Sequence, residues 1–245
     1  MHDELKIPAK TPGEAYERLL AVVRVLRREC PWDRVQDHHS LRVCMIEEAY
    51  EVAEAIDRED AENLDEELGD VLLQVAFHSL LAEEETVFDP VRPINDVCAK
   101  MIRRHPHVFS DEAGKPVDNN VEKWENIKER EHGEMCMEER LADVPSAFPA
   151  LIRSTKIQKR ATQGGYAWND GFGSWEQVKN QTQELIGSDV TGGDAEQLVG
   201  DLLFLAAAAA VRSGVEPEQA LARATERFIE KAVAQDRAKT AQGDR

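Results

Sequence analysis

Aromatic side chains make up only 6% of this chain, and the long β-branched runs that build buried strands are missing. Both absences argue against a sheet, while the frequent Ala, Leu, Glu, Arg and Gln are helix formers, so an all-α protein is expected. Cysteine is scarce as well. Cys30, Cys44, Cys98 and Cys136 form no C-x-x-C pair, and the N-terminal residues lack a basic-then-apolar export pattern; reduced thiols in a cytoplasmic protein are expected. The longest apolar stretch, Leu202 to Val211, falls well short of the about 20 residues that a membrane span needs, which predicts a buried helix rather than an anchor.

Basic residues are outnumbered, 30 against 48 acidic, for a formal charge of −18. Such a surface repels phosphate backbones and anionic lipid, so neither duplex nucleic acid nor a membrane is expected as a partner. A small polyanion stays open, because carboxylates can hold divalent cations and the cations can hold phosphates. With 245 residues and 42% hydrophobic content, the chain can bury one large core or two small ones.

Helical spacing of apolar residues recurs over Tyr16–Leu26, Leu41–Ile56 and Leu64–Leu81, with Asp60 placed to cap the third segment. A fourth helix over Ile94–Arg104 stops at Pro106. Polar residues with Gly114 and Pro116 mark a loop over Ser110–Asn120, followed by a charged helix over Val121–His132 that Gly133 ends. A second set follows over Ala150–Ala161, Trp175–Ile186, Ala195–Val211 and Glu218–Ala234, with a fraying tail after Gln235. It echoes the first: Gly69-Asp70-Val71-Leu72-Leu73 matches Gly200-Asp201-Leu202-Leu203-Phe204, and Lys100–Arg104 resembles Arg227–Lys231 at a similar interval. The order and spacing point to a duplication. The expected domains are residues 1–110, a helical linker over 111–149, and 150–245.

Glu48 and Glu51 lie three residues apart on one predicted helix, and Glu67 and Asp70 three apart on the next, so each pair projects from one face. Glu48 falls inside the apolar stripe of Leu41, Met45, Val52 and Ile56, and Asp70 opens the nearly all-apolar run Val71–Ala82. Unpaired ionised carboxylates at such places are costly; hard cations shared among four oxygen donors resolve the conflict. Mg²⁺ suits the donor set and Mn²⁺ also fits. Taken singly, each motif reads more readily as a solvated acidic face; the ordered set of both favours a metal site. Lys100, Arg103 and Arg104 follow on a further helix, where cations can clamp phosphate oxygens or simply complement the helix dipole.

The motifs CPWD at Cys30–Asp33, EEAYE at Glu47–Glu51, EELGD at Glu66–Asp70 and RRHPHVF at Arg103–Phe109, with KIQKRA at Lys156–Ala161 and the GYAW that follows, resemble the MazG family over nearly the whole chain. The resemblance implies tandem four-helix units of the all-α nucleoside triphosphate pyrophosphatase fold, a homodimer, and hydrolysis of nucleoside triphosphates to monophosphate and pyrophosphate. It also implies that Glu48, Glu51, Glu67 and Asp70 bind Mg²⁺, that Lys100 and Arg104 contact substrate phosphates, and that Glu47 is a further candidate for activating water.

In the second half the corresponding acid positions read Glu184, Gly187, Leu198 and Asp201, which leaves a degenerate metal site and favours a scaffold role over weak nucleotide binding. His38-His39 and His105-Pro106-His107 read as surface histidines rather than transition-metal ligands, and the single E-x-x-H, Glu129 to His132, lacks the second copy that a di-iron bundle needs. Trp32 and Trp124 read as corner packing. Two alternatives remain: a non-catalytic helical nucleotide-binding or interaction module, and a pyrophosphatase specialised for dUTP, dCTP or damaged nucleotides.

Overall fold

A computed structural model describes residues 2–109, 135–187 and 193–243, and among these every regular element is helical. The predicted loop and helix over 110–133, with Trp124 and the Glu129/His132 pair, lie outside the described residues. The chain divides into two compact units, residues 1–128 and 129–245.

In the first unit α1 (Pro12–Glu29) begins at a reciprocal cap: Thr11 Oγ1 accepts from the Glu14 amide at 3.3 Å, and Glu14 Oε2 accepts from the Thr11 amide at 3.1 Å. A connection with one 3-10 turn leads to α2 (Arg42–Asp57), and α3 (Ala61–Glu84) starts where Asp60 Oδ1 accepts from the Asn63 amide at 3.1 Å, the cap expected from the sequence. Two more helices follow, α4 (Val91–Arg104) and α5 (Pro106–Phe109).

Both α1 and α2 pack on α3. Leu20 and Val23 of α1, Leu41 at the entry to α2, and Ala76, Phe77, Leu80 and Leu81 of α3 form the core. All of α3's contribution comes from its C-terminal half. The other half carries Glu67 and Asp70 and stays only partly covered. Arg27 holds this arrangement together. Its guanidinium pairs with Glu84 at 3.1 and 2.6 Å and donates to the carbonyls of Asp33 and Gln36 at 2.7 and 2.8 Å, so the α1–α2 connection is tied to the end of α3. The packing of α4 is onto α5, which leaves Val91, Ile94, Val97 and Ile102 exposed.

The second unit contains α6 (Met137–Ala142), α7 (Ala150–Gln163), α8 (Trp175–Gly187), α9 (Gly193–Arg212) and α10 (Pro217–Gly243). As α3 receives α1 and α2, so α9 receives α7 and α8, with α10 touching both α7 and α9. Ala207, Ala208 and Ala209 are buried, and this small-residue stripe lets neighbours approach closely. Gly173, at φ +70°, sits where a Cβ would lie 3.0 Å from that of Ala208, so only glycine satisfies both the backbone and the contact. The tail expected to fray is helical to Gly243, since Ala, Lys, Arg and Gln dominate it and all favour helix.

Leu80 is 1% exposed at the centre of the first core. Leu80→Ala is expected to lower that unit's stability by about 2–5 kcal/mol, read as earlier loss of helicity in urea. An unchanged unfolding midpoint would contradict the core assignment.

Candidate metal centre

The packing of α2 on α3 determines which acids meet. Glu48, Glu67 and Asp70 are each half-buried, and each offers a carboxylate oxygen lying within 4.8 Å of the other two. Glu51 is exposed beside them, and its carboxyl shares hydrogen bonds with Glu48 and Glu67. Glu47 is exposed one position earlier on α2, about 100° round the helix, and is not among the gathered acids. On the last turn of α4, Lys100 and Arg104 are half-buried four residues apart, while Arg103 is exposed.

Burial and then contact with Glu51 raise the Glu48 carboxyl above its ordinary range, with further repulsion from Asp70, Glu51 and Glu67. Glu67 is raised as well, by desolvation first, then by the charge of Glu51 and the hydrogen bond that protonated Glu67 donates to it, and then by the charges of Glu66 and Asp70. Among the described residues, the charges that raise these two groups belong to other carboxylates. A set of hard oxygen donors this close has two ways to settle, by taking up protons or by taking up a cation. The donor chemistry therefore fits Mg²⁺ or Mn²⁺, whereas sulfur and imidazole, which select softer metals, are absent from the cluster.

Two of the histidines considered as metal ligands, His38 and His105, are engaged elsewhere. His38 Nδ1 and His78 Nδ1 lie 2.8 Å apart, and His105 Nδ1 lies 2.6 Å from the Met101 carbonyl. Trp32, expected to plug a corner, is 60% exposed; its backbone carbonyl, not its ring, takes part in the turn by accepting from Gln36.

The profile of the MazG nucleotide pyrophosphohydrolase domain matches residues 36–109, the stretch holding every acid and base just described. The nucleoside triphosphate pyrophosphohydrolase/pyrophosphatase MazG of Thermotoga maritima is 39% identical over 227 residues, spanning 91% of this chain and 86% of that protein. This chain belongs to the MazG family. A nucleoside triphosphate pyrophosphohydrolase of Escherichia coli K12 is 38% identical over 224 residues, 86% of this chain and 83% of its own. Another from Mycolicibacterium smegmatis is 37% identical over 164 residues, 64% of this chain and 49% of its own.

Within this MazG chain the two units differ at the matching place. The face of α8 turned toward Asp201 carries Gln177, Asn180, Gln181 and Glu184. Gln181 and Glu184 are therefore the α8 counterparts of Glu48 and Glu51, in place of the Glu184 and Gly187 read from the sequence; Gly187 is the last residue of its helix and takes no part. The register was misread because the short α8 has too few apolar residues to fix its facing side. The aromatic wall opposite, made by Tyr166, Trp168 and Phe172, was also missed. Three aromatics within seven residues, in a chain so poor in them, were the available signal.

Raised folded-state pKa values mean that Glu48 and Glu67 add stability fully below the ordinary glutamate range and lose it as pH rises through the raised values. At neutral pH in EDTA, Glu48→Gln is therefore expected to melt at a higher temperature than the parent. Mg²⁺ or Mn²⁺ should raise the parent's melting temperature more than the variant's. Equal cation effects in thermal melts of the two proteins would argue against Glu48 as a ligand.

Proposed function

We propose that this chain hydrolyses nucleoside triphosphates, ribose or deoxyribose, to the monophosphate and pyrophosphate at the carboxylate centre of its first unit, with Mg²⁺ as the ordinary cofactor and Mn²⁺ as a substitute. The observation that carries the reading is the convergence of Glu48, Glu67 and Asp70 across two helices, inside the segment that the MazG domain profile matches. The names of the relatives support the substrate class.

In this reading Glu48, Glu51, Glu67 and Asp70 hold the cation, which when bound supplies Lewis acidity toward phosphate oxygens and lowers the pKa of water. Lys100, Arg103 and Arg104 bind the triphosphate and balance the charge that gathers on its oxygens as the leaving group departs. Water attacks the α-phosphorus in line, and the bond to the bridging oxygen of the β-phosphate breaks. Glu47, outside the gathered carboxylates, accepts the water's proton. The first unit is the catalytic domain, and the second, whose matching positions carry two carboxylates in place of four, is not. Clearing unwanted nucleotides from the cytoplasmic pool is the role that follows.

The active form in this reading is a homodimer. Val43, Ile46 and Tyr50 on α2, Leu68 and Leu72 on α3, and the apolar face of α4 are all exposed, a larger apolar area than a lone unit ordinarily shows to water. A partner packed there would also bring α4's cations toward a carboxylate centre.

Two measurements test these assignments. Product analysis with a panel of NTPs and dNTPs is expected to give monophosphate and pyrophosphate. Orthophosphate and diphosphate as first products would reverse the reaction assignment, and no cleavage would favour a binding module. Glu67→Gln and Asp70→Asn are expected to lower turnover by about a hundredfold or more, since even outer partners of metal ligands commonly contribute about 10–100-fold; Glu62→Gln, an exposed charge on the same helix, serves as control. Separately, Ile94→Asp with Val97→Asp should convert a dimer to a monomer in light scattering and depress activity. A fully active monomeric parent would remove the dimer from the mechanism.

A further inference from the structure

His38 and His78 are a titratable pair that the carboxylate centre leaves unused. His38 lies in the connection between α1 and α2, and His78 in the C-terminal half of α3; their Nδ1 atoms are 2.8 Å apart and the ring planes 7° from parallel. Both rings are half-buried. The turn that carries His38 is closed by its own side chains, since the Ser40 amide donates to Asp37 Oδ1 at 2.7 Å and the Asp37 amide donates to Ser40 Oγ at 2.9 Å. It runs directly into Leu41, which is 2% exposed in the core at the entry to α2. A hold on His38 is therefore a hold on the start of the helix that presents Glu48 and Glu51 to α3. The second unit shows that this arrangement of helices does not require imidazoles. Its matching connection settles on α9 through Gly173 against Ala208, and the buried Ala209 stands where α3 has His78.

Two neutral imidazoles joined through Nδ1 share one proton, so one ring donates and the other accepts. With His38 as donor, a first added proton enters at its Nε2, 3.9 Å from Glu85 Oε2, and the bond survives. A second proton has only the accepting Nδ1 of His78 to enter. That step removes the bond and leaves two cations with nitrogens 2.8 Å apart. Burial, and then the charge of His38, hold the His78 imidazole below its ordinary range. The fold therefore favours neutral His78: its contribution to stability is present above the ordinary histidine range and is lost as pH falls through the lowered value. The other charges at this end of α3 are paired, Arg24 with Glu83 and Arg27 with Glu84 across the boundary with α1. Arg34, Asp37 and His39 accompany His38 on the connection, and α2 adds the exposed Arg42 and the half-buried Cys44 thiol.

We infer that His38 and His78 are positioning residues for the carboxylate centre: their Nδ1–Nδ1 bond seats α2 on α3, and a second proton on the pair releases the entry of α2 and weakens cation binding at Glu48, Glu67 and Asp70. This clasp rests on the reading of that centre as a Mg²⁺ site. It adds an acid-sensitive control at the end of α3 away from the carboxylates. Linkage makes the coupling reciprocal, so a cation bound at the acids resists the second protonation of the pair.

Imidazole ¹H–¹⁵N spectra of the full chain and calorimetric Mg²⁺ titrations, both followed as pH is lowered from neutral, test the clasp. His38 and His78 are expected to titrate in two linked steps, the second below the ordinary histidine range, and saturating Mg²⁺ should move that second step to lower pH. His78→Asn keeps a hydrogen-bonding atom near the Nδ1 position without a ring that titrates, whereas His78→Leu has none. At neutral pH His78→Leu should bind Mg²⁺ about fivefold more weakly than the parent, and His78→Asn as tightly as the parent. Once the second proton is on the parent, His78→Asn should be the tighter binder, because protonation of Glu48 and Glu67 is common to both. Should His78→Leu fail to fold, the asparagine variant and the parent's spectra decide. Independent titration of the two rings, a second step unmoved by Mg²⁺, or equal pH dependence of Mg²⁺ affinity in the parent and His78→Asn would overturn the clasp. A parent that binds Mg²⁺ but cleaves no triphosphate would overturn the reaction assignment alone, since neither readout uses turnover; a parent that binds no Mg²⁺ would overturn both.

Discussion

The repulsion among carboxylates on the facing sides of α2 and α3 is the constraint around which the first unit is built. Glu48, Glu67 and Asp70 are held within 4.8 Å of one another by helix packing, not by mutual attraction. Something else must hold the pair closed, and it is found at the opposite end of α3. There Phe77, Leu80 and Leu81 meet Leu20 and Val23 of α1, while Leu41 brings in the start of α2. The Arg27–Glu84 pair fixes the connection that feeds α2 into place. The core lies away from the acids, so their repulsion acts as a lever on one end of a clamped helix pair. That geometry leaves the acidic end responsive to a bound cation, because little apolar burial there competes with the electrostatic term.

Much of this was legible in the sequence for a simple reason: helical periodicity is a local property. The spacing of Leu64 to Leu81 defined α3, and Asp60 capped it where a short acceptor before an apolar run is expected to. The i, i+3 acid pairs share a face on any α-helix, so their convergence needed only that the two helices pack side by side. The structure brings Glu48, Glu67 and Asp70 together; the proposal that they are ligands draws on the family and on the chemistry of the donors.

What the sequence hid was tertiary. The facing side of α8 depends on how Gly173 lets the preceding connection settle on Ala208, a contact between residues 35 positions apart that no local pattern reports. The wall formed by Tyr166, Trp168 and Phe172 likewise exists only because that connection folds back over α9. The exposure of Trp32 had a different origin. A lone tryptophan beside proline looks like a plug for a helix corner, yet Arg27 satisfies the backbone of that turn and leaves the indole no cavity to fill.

The two units place different side chains on a similar helix arrangement. Asp70 and Asp201 follow matching glycines on matching central helices, and each faces the helix before it. In the first unit that helix presents Glu48 and Glu51; in the second it presents Gln181 and Glu184, and Leu198 stands where Glu67 would be. Exchanging two carboxylates for an amide and a leucine removes most of the like-charge repulsion. With that repulsion gone, the aromatic wall and a cavity can form against the helix pair without a cation to neutralise it. A unit that carries two such carboxylates in place of four has less electrostatic reason to hold a metal, and an acceptor-rich hollow lies between its two facing helices.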